Sequence, residues 1–285
     1  MIYIRIRGGL GNQLFQYSAA RSLADYLGVP LGLDVREFVT NSPYQMSLNY
    51  FNIRANLNPP DLIKQKKKNK FGYIFEKIIG NHKKIYKEPF LMFDKNLFSK
   101  VDGSYLKGYF QTEKYFINNK KNIVKDLSLI NKPDISNGSI LKEIQQTNSI
   151  SLHIRRGDYI SNPTYSSTHG VCDLSYYYEA VDYFIKRLGQ DIKVFAFSDD
   201  PDWVYENLKL PVNIKFINNN SFNYSHEDLR LMFNCKHNII ANSSFSWWGA
   251  WLNQNSNKIV ISPKKWYADK KMHNPDIVPD KWLKY

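Results

Sequence analysis

The stretch Ser149-Ile150-Ser151-Leu152-His153-Ile154-Arg155-Arg156-Gly157-Asp158-Tyr159 decides how the chain is read. Its first half alternates polar and apolar residues among β-formers, which predicts a strand over 149–154. His153, Arg155, Arg156, Gly157 and Asp158 then arrive together where that strand should end. In an open α/β sheet the carboxyl ends of strands are where ligands bind. A planar, permanently charged guanidinium there suits a phosphate, which it can grip through two parallel hydrogen bonds. The competing reading is a surface Arg–Asp pair, and the surrounding chain must choose.

Downstream of this stretch, strands are expected at 193–197, 213–217, 238–241 and 258–261, with helices at 174–188, 201–208, 226–235 and 245–253. Repeated βα units predict a parallel, doubly wound sheet. Distinctive clusters follow three of its strands: His153 to Asp158, Ser198-Asp199-Asp200-Pro201-Asp202, and Asn242-Ser243-Ser244-Phe245-Ser246-Trp247-Trp248-Gly249. A parallel sheet brings all three to one edge, which favours a ligand site over a lone ion pair.

Ser243 and Ser244 precede a helix, so their hydroxyls and the free N–H groups can hold a phosphate, or serve as an ordinary cap. Asp199 can accept paired N–H groups from a base such as guanine; alternatively, it or Asp200 caps the helix starting at Pro201. Asp200 and Asp202 also fit an Asp-x-Asp metal pair. Trp247, Trp248 and Trp251 read as core, with sugar stacking as the alternative.

Upstream, strand 2–6 leads into Arg7-Gly8-Gly9-Leu10-Gly11-Asn12-Gln13 and a helix to about Leu27, ended by Gly28-Val29-Pro30. Leu14, Tyr17, Ala20, Leu23, Ala24 and Leu27 form its buried stripe. Glycines after a strand let the backbone approach a ligand, although a tight turn needs them equally. Leu31–Val35 starts a second strand. Residues 40–103 are broken by Pro43, Pro59, Pro60 and Pro89 into short helices and loops. A strand follows at 105–110, a helix at 113–129 and a linker at 131–138. The expected division is 1–138 and 139–285, two Rossmann-like domains facing a cleft.

Two cysteines in 285 residues build no disulfide framework, no apolar run reaches a spanning length, and the chain opens directly on a strand, so a cytoplasmic protein is expected. The net charge is +13. Between Leu62 and Phe93 nine Lys oppose Glu76 and Glu88, nine minus two giving +7. This stretch is either a solvated loop or a contact for a polyanion. Interleaved Phe71, Tyr73, Ile74, Phe75, Ile78 and Ile79 favour an amphipathic segment on an anionic membrane surface, with no nucleic-acid partner.

Taken together, Gly8-Gly9-Leu10-Gly11-Asn12-Gln13, His153-Ile-Arg-Arg-Gly-Asp-Tyr159 and Ser243-Ser-Phe-Ser-Trp-Trp-Gly-Ala250 resemble the α-1,2-fucosyltransferases of glycosyltransferase family 11. Tyr105-Leu-Lys-Gly-Tyr-Phe-Gln111 and Cys235-Lys-His-Asn-Ile-Ile-Ala-Asn242 are similar too. The resemblance runs from Met1 to about Asn253 and thins at 40–100 and after Pro263. It implies a glycosyltransferase-B fold, with an acceptor-side first domain and a donor-binding second one. It implies GDP-fucose as donor, inversion at the fucose carbon, no essential metal or other cofactor, and the 2-hydroxyl of a terminal galactose as acceptor. Without a membrane anchor, such a chain resembles bacterial enzymes that build surface polysaccharide, O-antigen included, on glycans that can be lipid-linked at the inner face of the cytoplasmic membrane.

Carried over by residue, the resemblance puts Arg155 on the donor β-phosphate and His153 and Asp199 near the guanosine. Ser243, Ser244, Phe245 and Ser246 become the phosphate loop, with Gly9, Gly11 and Asp158 as further substrate contacts. Asn12 matches a reaction-centre asparagine of protein O-fucosyltransferases. Arg156 and Asp158 are expected to pair and shape the loop. Asp158, Glu227 and Asp228 are the candidates for a general base. The alternatives are a metal-dependent nucleotide-sugar transferase using Asp200 and Asp202, and a non-enzymatic module that binds polyanions or membranes.

Overall fold

The computed structural model describes residues 1–40, 42–59 and 85–285. Most of the Lys-rich stretch therefore lies outside the described residues. The chain forms two units, Met1–Ile130 with Asn274–Ile277, and Asn131–His273 with Val278–Tyr285. The boundary falls before the expected linker rather than after it. Asp134 caps a helix that starts at Ile135 by accepting the Asn137 N–H at 2.7 Å, so half of 131–138 is already ordered helix.

The first unit is built on β1 (Ile2–Arg5), β2 (Leu31–Asp34), β3 (Asn56–Leu57), β4 (Ile85–Lys87) and β5 (Tyr105–Lys107). They pair in parallel in the order β3-β2-β1-β5-β4. Helix α1 (Leu10–Leu27) joins β1 to β2. Its expected stripe is buried, apart from half-buried Leu27, and Phe15 and Ala19 are buried as well. Gly28 ends it in the left-handed conformation, φ +66°, with its N–H on the last carbonyls. The glycine stretch is mostly helix rather than loop: Gly9 stands at the N-cap, and Gly11 and Asn12 lie in the first turn. The helix expected at 113–129 is instead two 3₁₀ turns, Glu113–Tyr115 and Ile117–Asn119, followed by a helix at Lys120–Asp126. Thr112 caps the first turn, and fully buried Tyr115 and Phe116 draw the chain inward.

Buried Asp126 organises this side of the unit. It accepts the Tyr17 hydroxyl at 2.8 Å and pairs with Arg21 at 3.0 Å and Arg54 at 2.9 Å. Three segments far apart in sequence thus converge on one carboxylate.

In the second unit, β6 (Ser149–Ile154), β7 (Lys193–Ser198), β8 (Asn213–Ile217), β9 (His237–Ile239), β10 (Val260–Ser262) and β11 (Leu283–Lys284) pair in parallel, in the order β11-β10-β9-β6-β7-β8. Central β6 is buried along its whole length. Its alternation therefore marks two buried faces rather than one wet face. Ile150, Leu152 and Ile154 pack with Tyr176, Tyr177 and Phe184 of helix Leu174–Leu188. On the other face Ser151 accepts an Asn238 amide N–H at 2.6 Å. There Phe195, Phe197 and Ile217 pack with Ile140 and Ile144 of helix Ile135–Gln146 and with Leu231 and Met232 of helix Ser225–Asn234. Trp247, Trp248 and Trp251 are buried, consistent with core. No helix among the described residues is long and apolar enough to cross a membrane.

Among the described residues, replacing Asp126 with Ala leaves Arg21 with Asp25, 2.8 Å away, and leaves the Tyr17 hydroxyl, which still accepts the Arg54 N–H, without an acceptor for its own proton. Unfolding in urea should show a loss of about 3 kcal/mol, the low end for a broken buried pair. A loss below about 1 kcal/mol would contradict the organising role of this carboxylate.

Candidate active site

The strand order β9-β6-β7 brings the three expected clusters of the second unit side by side at the carboxyl edge. After β6 the chain turns at Arg156 into a short helix, Gly157–Ser161. Arg155 Nη2 lies 2.7 Å from Asp158 Oδ1, and its Nε lies 3.2 Å from Asp199 Oδ2. Arg156 lies over the Trp203 ring at 3.4 Å and pairs with Asp200 at 3.2 Å. The expected Arg156–Asp158 pair is therefore replaced by Arg155–Asp158. Successive residues leaving a strand point to opposite sides, so Arg155 lies between its own short helix and Asp199, while Arg156 reaches Asp200 and Trp203.

Asp199 does not cap the following helix. Its Oδ1 accepts the Arg156 N–H at 2.9 Å, and Asp200 occupies the N-cap position of helix Pro201–Asn207 without a side-chain capping bond. A Cβ at Gly157 would lie 2.5 Å from Asp199 Oδ2, so only glycine lets the carboxylate seat there. Asp202 is exposed, while Asp200 is engaged by Arg156. Arg155 and Arg156 face Asp158, Asp199 and Asp200: two positive charges against three negative, a net −1. The guanidiniums thus supply direction more than excess countercharge, and a bound diphosphate would also need oriented N–H dipoles.

Such dipoles stand at the next loop. Ser243 accepts the Phe245 N–H at 3.3 Å and caps helix Ser244–Trp251. Its cap reading is met, while the helix N-terminus stays a place that favours an anion. Ser244 and Phe245 are half-buried, whereas the Ser246 hydroxyl is buried and lies 3.4–3.5 Å from the Ser243 and Ala241 carbonyls. Phe245 packs partly against the core cluster of Phe195, Phe197 and Leu231. Phe245 leans on His153, ring centres 5.7 Å apart.

His153 is buried, and its Nδ1 has no hydrogen-bond partner among the described residues. Burial brings its pKa down to about 4, against the pull of Asp199, and it stands neutral at physiological pH. Two residues that the motifs contained, but to which the sequence reading gave no role, complete this edge. Asn242 gives its amide to the carbonyls of His169, Gly170 and Trp266, tying three loops together. The Tyr159 ring stacks on His169 at 4.8 Å, and its hydroxyl donates to the Asn242 carbonyl. Its place directly after the expected strand 238–241 was the available signal for Asn242.

Gly9, Gly11 and Asn12 belong to the first unit, at the carboxyl edge of its own sheet. Gly8 has φ +77°, and Gln111 Nε2 donates to Asn12 Oδ1 at 2.7 Å. Arg7 lies over the Tyr109 ring at 5.4 Å. Glu88, read from the sequence only as a charge in the Lys-rich stretch, accepts the Tyr109 and Phe110 N–H groups at 2.7 and 2.9 Å. Burial pushes its carboxyl up to about 7. Among the base candidates, Glu227 is held by Arg230 at 2.8 Å and Asp158 by Arg155. Asp228 is bonded to Asn220, and burial moves it up to about 7.

The model of glycosyl transferase family 11 matches residues 1–285. The chain belongs to this family. The match includes 40–100 and 263–285, where the motif resemblance is thin. The chain is 36% identical over 307 residues to the O-antigen biosynthesis glycosyltransferase WbnK of Escherichia coli, covering 99% of both. It is 31% identical over 293 residues to an α-1,2-colitosyltransferase of E. coli, covering 100% of this chain and 98% of the relative. Among solved structures it resembles fucosyltransferase NodZ from Bradyrhizobium, with TM-score 0.54 and 14% identity over 87% of this chain and 90% of that one. The fold is accordingly of the glycosyltransferase-B class, with two Rossmann-like units.

The depressed His153 pKa carries a sign. Between the ordinary value of 6.5 and about 4, the unfolded chain binds a proton that the folded chain refuses. Stability from this residue is present above pH 6.5 and is lost as pH falls through that window, by about 3 kcal/mol in total. Chemical unfolding at pH 7 and pH 4.5 should show a steeper fall for the parent than for His153→Gln. Equal slopes would mean His153 is not buried neutral.

Proposed function

We propose that this family 11 glycosyltransferase moves L-fucose from GDP-fucose to the 2-hydroxyl of a terminal galactose, with inversion at the fucose carbon. The observation that carries the reading is Arg155 at the end of β6, fixed by two carboxylates, beside the N-terminus of helix Ser244–Trp251. In this reading Arg155 grips the β-phosphate, and the N–H groups of the Ser243–Ser246 loop take the remaining oxygens. His153 and Asp199 lie toward the guanosine, and Gly9, Gly11 and Asn12 serve the acceptor side. Departure of GDP puts negative charge on the diphosphate and positive charge on the sugar. Donors already aimed at the diphosphate then stabilise the transition state more than the ground state.

The donor assignment is supported by NodZ, crystallised after soaking with GDP-fucose, which shares the fold. The linkage is supported by a galactoside 2-α-L-fucosyltransferase of Caenorhabditis elegans, 28% identical over 67% of this chain. The WbnK relative supports a place in O-antigen assembly. We propose that this takes place in a bacterial cytoplasm, with the Lys-rich stretch meeting an anionic membrane that carries a lipid-linked acceptor. We propose a reaction without a metal ion or other cofactor. The α-1,2-colitosyltransferase relative favours one second reading, in which the sugar is colitose, with the same linkage.

The test is transfer from GDP-fucose and from GDP-colitose to a soluble galactose-terminated oligosaccharide, with the new linkage assigned by NMR. A fucose–galactose α-1,2 product is expected, formed with chelator present. Transfer from GDP-colitose alone selects the second reading, and no transfer from either overturns both. Arg155→Lys keeps the charge but loses the planar fork, and turnover should fall at least about a hundredfold. Near-parent turnover would remove Arg155 from the diphosphate.

A further inference from the structure

The loop after β5 is held more firmly than a connection requires, and its last residue touches Asn12. Glu88 fills the space where a Cβ of Gly108 would stand and takes the next two backbone N–H groups. Phe110 follows at φ +55°, a backbone region that side-chain-bearing residues rarely adopt. Its ring is fully buried, 6.3 Å from Tyr86 and 5.5 Å from Tyr115. A bulky residue keeps such a backbone only where its surroundings over-determine it. The Gln111 carbonyl is held in turn by Asn274 Nδ2 at 3.0 Å. With its backbone fixed on both sides, Gln111 sends Nε2 to Asn12 Oδ1 at 2.7 Å.

An asparagine amide turns about a broad, roughly two-fold torsion, so an unbraced Asn12 could present either oxygen or nitrogen. A donor at the oxygen settles which end faces away. Gly8 completes the seat: a Cβ there would lie 2.9 Å from Asn12 Nδ2, at a backbone φ of +77°. The amide hydrogens of Asn12 are left without a partner among the described residues.

We propose that Gln111, braced by Glu88, is a positioning residue that locks Asn12 with its N–H groups turned outward, as a donor to an oxygen of the reacting substrates. The inference rests on the placing of Asn12 on the acceptor side proposed above. The oxygen would belong to a hydroxyl of the acceptor sugar, which accepts hydrogen bonds.

The experiment is steady-state transfer by the full chain carrying Gln111→Ala, Gln111→Glu or Asn12→Ala, and by each Gln111 change combined with Asn12→Ala. Alanine frees the amide to rotate, and kcat should fall roughly tenfold with the donor KM within about twofold. Glutamate puts an acceptor where the donor was and turns the Asn12 amide the wrong way, so it should be worse than alanine at an equal melting temperature. In the Asn12→Ala background both Gln111 changes should leave kcat within about twofold. Equal loss for alanine and glutamate, or losses that multiply with Asn12→Ala, would overturn the bracket. If Asn12→Ala alone keeps parent kcat, the assignment of Asn12 fails, and the bracket fails with it. If Asn12→Ala is impaired while Gln111→Ala is not, only the bracket fails. Glu88→Gln, which leaves one of the two N–H groups without an acceptor, should reproduce the alanine effect on kcat without changing the donor KM. A melting curve separates that effect from misfolding.

Discussion

The arginine turn at the edge of the second sheet depends on one carboxylate, Asp199, seated against the bare Cα of Gly157. From there it takes the backbone N–H of Arg156 and the side chain of Arg155. Paired strands β6 and β7 bring these groups together, with Ile154 opposite Ser198 in the ladder. Register thus sets the distance, and glycine allows it. Without Asp199, Arg155 would retain Asp158 from its own turn but lose the bond that ties this turn to the neighbouring strand. The ion pairs are half-exposed and contribute little to stability as charges. Their consequence is directional, because a guanidinium fixed before the ligand arrives loses less freedom on binding it.

The same logic recurs in the first unit with different chemistry. There a carboxylate, Glu88, holds two backbone N–H groups, and the side chain being aimed is a neutral amide. In both units a parallel sheet delivers loops to its carboxyl edge, and a buried or half-buried acid converts one loop from a connection into a fixture. Asn242 does the corresponding work for the β9 loop, holding the carbonyls of His169, Gly170 and Trp266.

The legible part of this architecture is the part written in periodicity. The strands at 149–154 and 213–217 and the helix at 174–188 carry strong alternation or a helical stripe, and the structure places them at those bounds. The segment 113–129 carries apolar residues at mixed spacing, and tertiary burial of Tyr115 and Phe116 overrode its helical pattern. The clustering of His153, Arg155, Asp199 and Ser243 at one edge was also legible, since it follows from topology alone. Which arginine meets which aspartate was not, because it depends on how the chain turns at Arg156. Glu88 was hidden among lysines and beside Pro89, and only the fold shows that it faces Gly108. The cap at Ser243 was among the sequence readings, whereas the inward turn of Ser246 needed the loop's geometry.

The central claim is that Arg155 meets the β-phosphate of a guanosine diphosphate. Its most direct test is phosphorus NMR of GDP titrated with the protein and with Arg155→Ala. The account predicts that the parent shifts both phosphorus resonances, the β resonance most, and that Arg155→Ala, folded as judged by its melting curve, leaves the β resonance near its free position. An equal β shift with both proteins would contradict the account.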